Sequence, residues 1–223
     1  MRRRVTSFTL ALALAISSAG CAEGDGAQHL RNADVGAAVR VPGAWTVFEQ
    51  DQVQANSITP GLQIPSPVRW FVGVDADPQP SPDHIVQAYT ADHPQGFFEV
   101  FELDENDRWQ ISILAVRNMI VPIDQIREQF LQDPLVLLAY DDRLDADGMR
   151  GMRMVVQVQE SEVDENGELE LIPGSYFQLN QVAWWDPMVD RLYLGALMCS
   201  IDCYARYADD IEATMASWIA RAP

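Results

Sequence analysis

The three cysteines are the residues of this chain whose types and spacing suggest specific chemistry. Cys199 and Cys203 lie four positions apart, and outside the cytoplasm two nearby thiols form a disulfide by default. A metal site or a redox pair is the alternative, but no histidine lies nearby and the spacing is not Cys-x-x-Cys. Cys21 follows the small residues Ser18–Gly20, which are typical of the cleavage point of a secretory signal. We therefore expect a Cys199–Cys203 disulfide in an exported protein.

The segment before Cys21 has the organisation of an export signal. Met1–Arg4 is positively charged and Phe8–Ser17 is apolar, and this run of about ten residues is shorter than the roughly twenty that a spanning helix needs. Together with Ser18–Gly20, it resembles the lipobox of bacterial lipoproteins. The resemblance implies that residues 1–20 are a signal peptide and that Cys21 carries a diacylglycerol thioether at the mature N-terminus. It also implies lipid anchoring on the extracytoplasmic side of a bacterial cell membrane, with ordinary secretion and a free Cys21 thiol as the alternative.

Composition excludes several classes of function. The whole chain has 15 basic and 33 acidic residues, and removal of residues 1–20 takes away three arginines, which leaves 12 against 33 and a net charge of −21. Nucleic acid is a poor partner for such a surface, because binding to phosphates requires lysine and arginine. Every basic residue is arginine, so a lysine Schiff base or a lysine general base is excluded as well.

The histidines and acidic clusters form no recognisable catalytic or metal-binding motif. His29, His84 and His93 lack the one-turn spacing of a zinc-binding helix, so we interpret each as a surface residue. Three acidic clusters lie at residues 104–107, 141–147 and 160–165. The glycines beside the second and third fail the register of a calcium-binding EF-hand loop, so we interpret the clusters as solvated turns. We predict no cofactor and no metal ligand, and we favour a binding protein over two alternatives, an extracellular hydrolase with a non-sequential acidic site and a calcium-dependent binding domain.

The hydrophobic pattern after Cys21 predicts a flexible linker followed by one domain. Residues 21–34 are polar and rich in glycine and alanine, and the domain is expected over residues 35–223. Alternating or continuous apolar residues predict strands at 35–41, 45–49, 70–75, 97–103, 109–116, 152–158, 169–172, 176–185 and 191–198. Helices are predicted to begin at Ser81-Pro82 and at Pro122, with an amphipathic helix from Tyr204 to Ile219. Asp164–Gly167 is a predicted hairpin turn.

These elements describe an α+β fold, in which an antiparallel meander is combined with two internal helices and a C-terminal amphipathic helix packed on the sheet. Two segments sharpen the description: the strand, turn and tryptophan of Val39–Trp45, and the end of the last helix, with Ile211, Ser217 and Trp218. Together they resemble the PsbP-type fold, which a eukaryotic nuclear-import factor and actinobacterial lipoproteins share. The resemblance implies a non-enzymatic role in binding proteins and supplies no catalytic residue. A cystatin-like or other α+β sandwich is the alternative.

Two adjacent aromatic residues are the candidate binding surface. Trp184 and Trp185 lie in one predicted strand, so their rings should point to opposite faces of the sheet. If the terminal helix covers one face, the ring on the other face is available to a partner. The alternative is that a second layer covers that ring as well. The sequence thus predicts a lipid-anchored binding or assembly module of the cell envelope, whose partner is another envelope protein or a small apolar ligand.

Overall fold

The computed structural model describes residues 26–53, 67–86, 91–130, 133–146, 148–163 and 169–221. Ten strands and six helices lie in these ranges. The strands are β1 (Ala27–Asn32), β2 (Ala37–Pro42), β3 (Thr46–Glu49), β4 (Val68–Asp75), β5 (Gln95–Glu102), β6 (Leu135–Ala146), β7 (Met149–Val163), β8 (Leu169–Trp185), β9 (Arg191–Ser200) and β10 (Ile219–Ala220). The helices are α1 (Pro82–Val86), α2 (Glu105–Arg108), α3 (Ile113–Arg117), α4 (Ile123–Gln129), α5 (Ile201–Arg206) and α6 (Ala208–Ser217). Among these helices, none has the length and apolar character that crossing a membrane requires.

The strands form two antiparallel sheets. The larger sheet has seven strands in the order β3-β4-β5-β9-β8-β7-β6, and the smaller sheet has three in the order β1-β2-β10. In the larger sheet, neighbours in space are also neighbours in the chain, except that β5 pairs with β9 across the whole segment from α2 to β8. The predicted α+β class with an antiparallel meander is confirmed.

Both faces of the larger sheet are buried at its centre, where the strands β5 and β9 are apolar on both sides. Every residue of β5 except Glu102 is buried, and successive residues such as Phe97 and Phe98 point to opposite faces. The Phe97 face packs against the segment from α3 to α4, which contributes Met119. The Phe98 face packs against the terminal helices and the smaller sheet, through residues such as Ile211. The seven-stranded sheet is therefore the middle layer of three.

Trp218 joins the smaller sheet to the larger one. Its ring is stacked on Trp70 with centroids 5.8 Å apart, and it lies 5.2 Å from the ring of Phe98. Pairs of this kind contribute about 1 kcal/mol beyond the area that they bury. The hydroxyl of Ser217 accepts a hydrogen bond from the backbone N–H of Arg40 at 2.8 Å, which ties the end of α6 to β2. The two sequence segments that carry the family resemblance thus meet at this point.

A polar network fastens the terminal helices to the sheet. Asn180 of β8 is fully buried, and its amide donates to Tyr204 Oη at 3.0 Å and to Glu212 Oε1 at 3.1 Å. Tyr204 donates to the same carboxylate oxygen at 2.9 Å, while Arg153 forms an ion pair with the other one. Burial and the neighbouring Glu212 carboxylate raise the pKa of Tyr204 to about 12. The buried donors are thereby matched to acceptors, and α5 and α6 are fixed in register with β7 and β8.

The N-terminal boundary of the domain lies earlier than predicted. Ala27–Asn32 forms a strand that pairs with β2 along its whole length, so the interpretation of residues up to 34 as flexible linker is wrong for the described part. Gln28 donates from Nε2 to the backbone oxygen of Trp45 at 2.7 Å, and Leu30 packs on the core. Because β1 is held by pairing with β2 rather than by an apolar pattern of its own, hydrophobic periodicity does not reveal it.

The predicted strand at 109–116 is wrong. α2 ends at Arg108, directly before this region, and α3 begins at Ile113 within it; each helix begins at a side chain that caps it. Asp104 accepts the backbone N–H groups of Asn106 and Asp107 at 2.7 and 2.9 Å, and Ser112 accepts that of Ala115 at 3.1 Å. These caps satisfy donors that a helix start otherwise leaves unpaired. Local capping prevails here over the alternation of apolar residues.

The terminal amphipathic segment consists of two helices rather than one. α5 and α6 are separated at Tyr207, whose φ of −109° and ψ of 18° depart from helical values. Trp218 lies beyond α6 in extended conformation, and β10 follows it. Apolar residues continue at helical spacing through Tyr207, so periodicity alone does not show the break.

Three other sequence predictions concern turns and helix starts. The helices predicted at Ser81-Pro82 and Pro122 are confirmed as α1 and α4. The strands predicted separately at 169–172 and 176–185 are one strand, since β8 continues through Pro173-Gly174. Gly174 adopts a positive φ of 77° that other residues disfavour. The predicted turn at Asp164–Gly167 lies outside the described residues.

A buried carboxyl lies on the same face of β5 as Phe97 and Phe101. Glu99 is 2% exposed, and its Oε1 atom has no hydrogen-bond partner among the described residues. Burial disfavours the charged carboxylate and raises the pKa of Glu99 from 4.5 to about 8. At neutral pH the side chain is therefore protonated in the folded chain and ionised in the unfolded one.

We predict that Glu99 makes stability depend on pH. The folded chain retains a proton that the unfolded chain releases, so the free energy of unfolding should fall as the pH rises from 4.5 to about 8. This contribution is complete below the lower value and lost above the higher one. Glu99→Gln should remove this part of the pH dependence, which urea denaturation at a series of pH values measures. Glu102→Gln, which alters an exposed carboxyl on the same strand, is the control; an unchanged slope in Glu99→Gln would contradict the prediction.

Candidate binding surface at Trp109 and Met188

The predicted disulfide is present. Cys199 of β9 and Cys203 of α5 are bonded across a Cα–Cα distance of 5.9 Å, and both residues are fully buried. Ser200, between them, caps α5 by accepting the backbone N–H of Cys203 at 3.3 Å. The bond thus fixes the turn between the last strand of the larger sheet and the terminal helices. Cys21, the predicted site of lipid attachment, lies outside the described residues.

The predicted surface at Trp184 and Trp185 is not an open one. The two rings do lie on opposite faces of the sheet, but Trp185 is only 9% exposed and belongs to the core on the Phe97 face. Trp184 is half-buried against the other core, and its ring covers Gly151, where an added Cβ would come within 2.5 Å of the indole. Neither tryptophan ring is open to solvent as expected, because α3 and its neighbours cover the face of the sheet that the terminal helices do not cover.

Among the residues that the structure describes, Trp109 and Met188 have the most exposed large apolar side chains. Trp109 follows α2 and is 86% exposed, and Met188 lies between β8 and β9 and is 72% exposed. Both line a cleft of about 500 Å³, together with Glu105, Arg108 and Val189. Neither residue was predicted to bind a partner, since Trp109 fell within the predicted strand at 109–116 and Met188 between the predicted strands at 176–185 and 191–198. The proline-containing turn before Met188 was the available signal.

The loop that presents Met188 is held by a single buried carboxylate. Asp186 Oδ1 accepts the backbone N–H groups of Met188 at 2.8 Å and Asp190 at 3.1 Å, and Oδ2 accepts that of Arg191 at 2.9 Å. Val189 has a φ of 58°, in the left-handed region that β-branched residues rarely adopt. A strained residue of this kind persists where its surroundings fix it, and such residues cluster at functional sites.

Charged groups surround the apolar centre. Arg108 forms an ion pair with Asp190 at 2.6 Å, and Asp190 also accepts the backbone N–H of Leu103 at 2.8 Å through its own backbone oxygen. A neighbouring cleft of about 440 Å³ shares Arg108 and Met188 with the first. An apolar centre with a polar rim is the usual organisation of a surface that binds another protein. We call the exposed group of Trp109, Met188, Arg108 and Asp190 the Trp109 surface.

The histidines and carboxylates do not build a second site of this kind. His84 Nδ1 lies 2.8 Å from Asp75 Oδ2, and His93 Nδ1 lies 3.4 Å from Asp77 Oδ2. Asp75 also accepts the backbone N–H of Ser81, so the first pair fixes the start of α1. Within the described ranges, no group of three or more histidine, cysteine or acidic side chains is arranged to hold a metal ion.

We predict that the Asp186 carboxylate is the main determinant of this loop's conformation. Asp186→Ala removes the acceptor of three backbone N–H groups and should lower the free energy of unfolding by about 3 kcal/mol. Asp186→Asn, which keeps one acceptor oxygen, should fall between it and the wild type. Asp190→Asn breaks only an exposed ion pair and should cost less than about 1 kcal/mol. Urea denaturation measures all three, and equal losses for Asp186→Ala and Asp190→Asn would contradict the prediction.

Comparison with known proteins supports the fold. No protein-family profile and no curated protein sequence matches this chain. The solution structure of PsbP from the cyanobacterium Synechocystis, CyanoP, is similar over 92% of this chain and 98% of its own, with a TM-score of 0.50 and 12% sequence identity. A crystal structure of a Pseudomonas aeruginosa protein of unknown function matches over 88% of this chain and 99% of its own, with a TM-score of 0.37 and 12% identity. The similarity to CyanoP shows that this chain has a PsbP-like fold.

Proposed function

We propose that this protein is a lipid-anchored binding or assembly module on the extracytoplasmic side of a bacterial membrane, without catalytic activity, and that the Trp109 surface contacts its partner. The observation that carries the proposal is the exposure of Trp109 and Met188 beside one cleft, with Met188 on a loop held by Asp186. Exposed large apolar side chains mark interaction sites when they are grouped and rimmed by polar residues. The PsbP-like fold agrees with a binding role.

The partner is proposed to be another protein of the cell envelope. Tryptophan and arginine are the side chains that most often dominate the free energy of binding at interfaces, and both occur here as Trp109 and Arg108. The Asp186 carboxylate holds the loop in one conformation, which lowers the entropy lost on binding. The same cleft is large enough for a small apolar ligand, which is the competing occupant.

The proposed anchor would keep this surface close to the membrane. If the mature chain begins at Cys21, five residues separate the lipid from β1, and fully extended they would span about 17 Å. The acidic character of the domain would repel anionic headgroups, so the domain would lie above the membrane rather than on it. A partner would then be met at a defined height.

We expect a photoreactive residue in place of Met188 to capture a partner in cells of the native host. The same replacement at Ala216, an exposed position on α6, is the matched control. It should capture none of the proteins that the Met188 variant captures. Adding Trp109→Ala to the Met188 variant should reduce the product by about tenfold, the loss expected for a dominant interface residue. Mass spectrometry identifies the product. Equal capture from both positions, or no effect of Trp109→Ala, would refute this surface, and a product of small added mass would favour the ligand.

We predict that Cys21 carries the anchor. Intact mass of the protein from host membranes should correspond to a chain that begins at Cys21 and bears acyl chains, and it should gain two protons on reduction of Cys199–Cys203. Cys21→Ser should release the protein from the membrane fraction, whereas Cys199→Ser should leave it there. An unacylated mass, or cleavage at another residue, would make this a freely secreted domain and refute the anchored role without affecting the Trp109 surface.

A further inference from the structure

The edge strand β6 carries exposed apolar residues that the packing of the domain does not require. β6 is the outermost strand of the larger sheet on the side away from β3, and among the described strands it pairs with β7 alone. Within the described residues, the backbone donors and acceptors of its other edge face no strand, and an edge of this kind can pair with a further strand. The Trp109 surface shares no residue with β6, so a partner bound at this edge would be independent of one bound at the Trp109 surface.

The first half of β6 is apolar and exposed on both of its faces. Five successive residues, Val136 to Tyr140, are exposed. Four of them are large apolar or aromatic residues, with exposed fractions of 48% for Val136, 49% for Leu137 and Leu138, and 37% for Tyr140. A strand at the side of a layered sheet ordinarily alternates between buried and exposed residues. Here the alternation fails, because neighbouring residues on both faces of the strand are exposed.

This stretch lacks several devices that protect edge strands from pairing. Proteins usually place lysine, proline or inward-pointing charge along such an edge. Between Val136 and Tyr140 there is no charged residue and no proline. The one protective feature is a bulge, since the register with β7 shifts between Leu137 and Ala139. Two copies of β6 that paired with each other around this stretch would bring their bulges together, which disfavours a second copy as the partner.

Charge indicates what kind of segment fits. Exposed carboxylates flank the apolar stretch, with Asp141 and Asp145 after it and, before it, Asp133, which forms an ion pair with Arg127 at 3.1 Å. Arg143 provides a nearby positive charge, and it lies 3.7 Å from Asp142. The whole chain has a net charge of −18, so a second copy would be repelled and a basic segment attracted.

We propose that the outer edge of β6 at Val136–Tyr140 accepts an extended segment of another protein as an eighth antiparallel strand, apolar in its middle and carrying arginine or lysine at its ends. Backbone hydrogen bonds to the free edge give the affinity in this mode of recognition, and alternate side chains give the selectivity. The apolar side chains of the added strand cover those of β6, while its basic ends face Asp133 and Asp141. Every described strand pair of the larger sheet is antiparallel, and the added pair continues that pattern.

The test uses the purified mature chain and a labelled peptide of about seven residues, with valine at alternate positions and arginine at both ends. Fluorescence anisotropy should show binding that weakens as salt is added. A version N-methylated at alternate residues cannot form the backbone ladder and should bind at least about tenfold more weakly. A version with glutamate ends should not bind. Hydrogen exchange should slow at the backbone amides of residues 136–140 when the first peptide is added.

Matched substitutions separate edge pairing from attraction between charges. Leu138→Lys places a charge on the edge and should weaken binding at least about tenfold. Leu114→Lys adds the same charge at an exposed apolar residue of α3 and should change the affinity less than about twofold. Both positions are exposed, so both variants should retain the wild-type melting temperature within a few degrees.

Four outcomes overturn the proposal. Absence of binding overturns it, as does binding that N-methylation of the peptide leaves intact. Equal losses for Leu138→Lys and Leu114→Lys would show adsorption by charge alone. A dimer in sedimentation equilibrium that Leu138→Lys dissociates would assign the edge to a second copy instead.

Discussion

The central strands β5 and β9 are apolar on both faces, and the rest of the structure depends on covering both. Eight successive residues of β9, Leu192 to Cys199, are buried. Strands of this kind can only lie inside a layered sheet, since neither face can be left to water. The segment from α2 to α4 forms one covering layer, and the terminal helices with the smaller sheet form the other. The burial of Trp185 and of the Glu99 carboxyl is a consequence of this arrangement.

The sequence was sufficient for the fold class but not for the surface. The alternation of apolar residues predicted most strands, and the helix-start residues predicted α1 and α4. Because Trp184 and Trp185 are adjacent in one strand, their rings were correctly predicted to lie on opposite faces of the sheet. Whether a face is open depends on residues far away in the chain, in this case Met119 and its neighbours, which periodicity does not connect to the tryptophans. The same limit applies to Trp109, because an isolated tryptophan among polar residues has the same local sequence whether it is buried or exposed. β1 was missed because pairing with β2, rather than its own side chains, defines it.

The exposed apolar groups lie on a strongly acidic background, and this contrast affects recognition. At the Trp109 surface the rim contains both signs of charge, since Arg108 is paired with Asp190. Along β6 the flanking residues are mainly acidic. Electrostatic complementarity of this kind contributes more to the choice of partner and the rate of association than to affinity. A strongly acidic surface of this kind disfavours acidic partners.

The smaller sheet has a consequence for the order in which the chain folds. Its middle strand, β2, pairs with β1 from the beginning of the domain and with β10 from the end, where Arg221 donates its backbone N–H to the oxygen of Gly36 at 3.0 Å. A chain that emerges N-terminus first holds β1 and β2 without Trp218 and β10 until residues 218–220 arrive. Contacts between such distant positions form slowly. The first part of the domain to appear is thus among the last to be completed, and loss of a few C-terminal residues would leave its N-terminal strands without their cover.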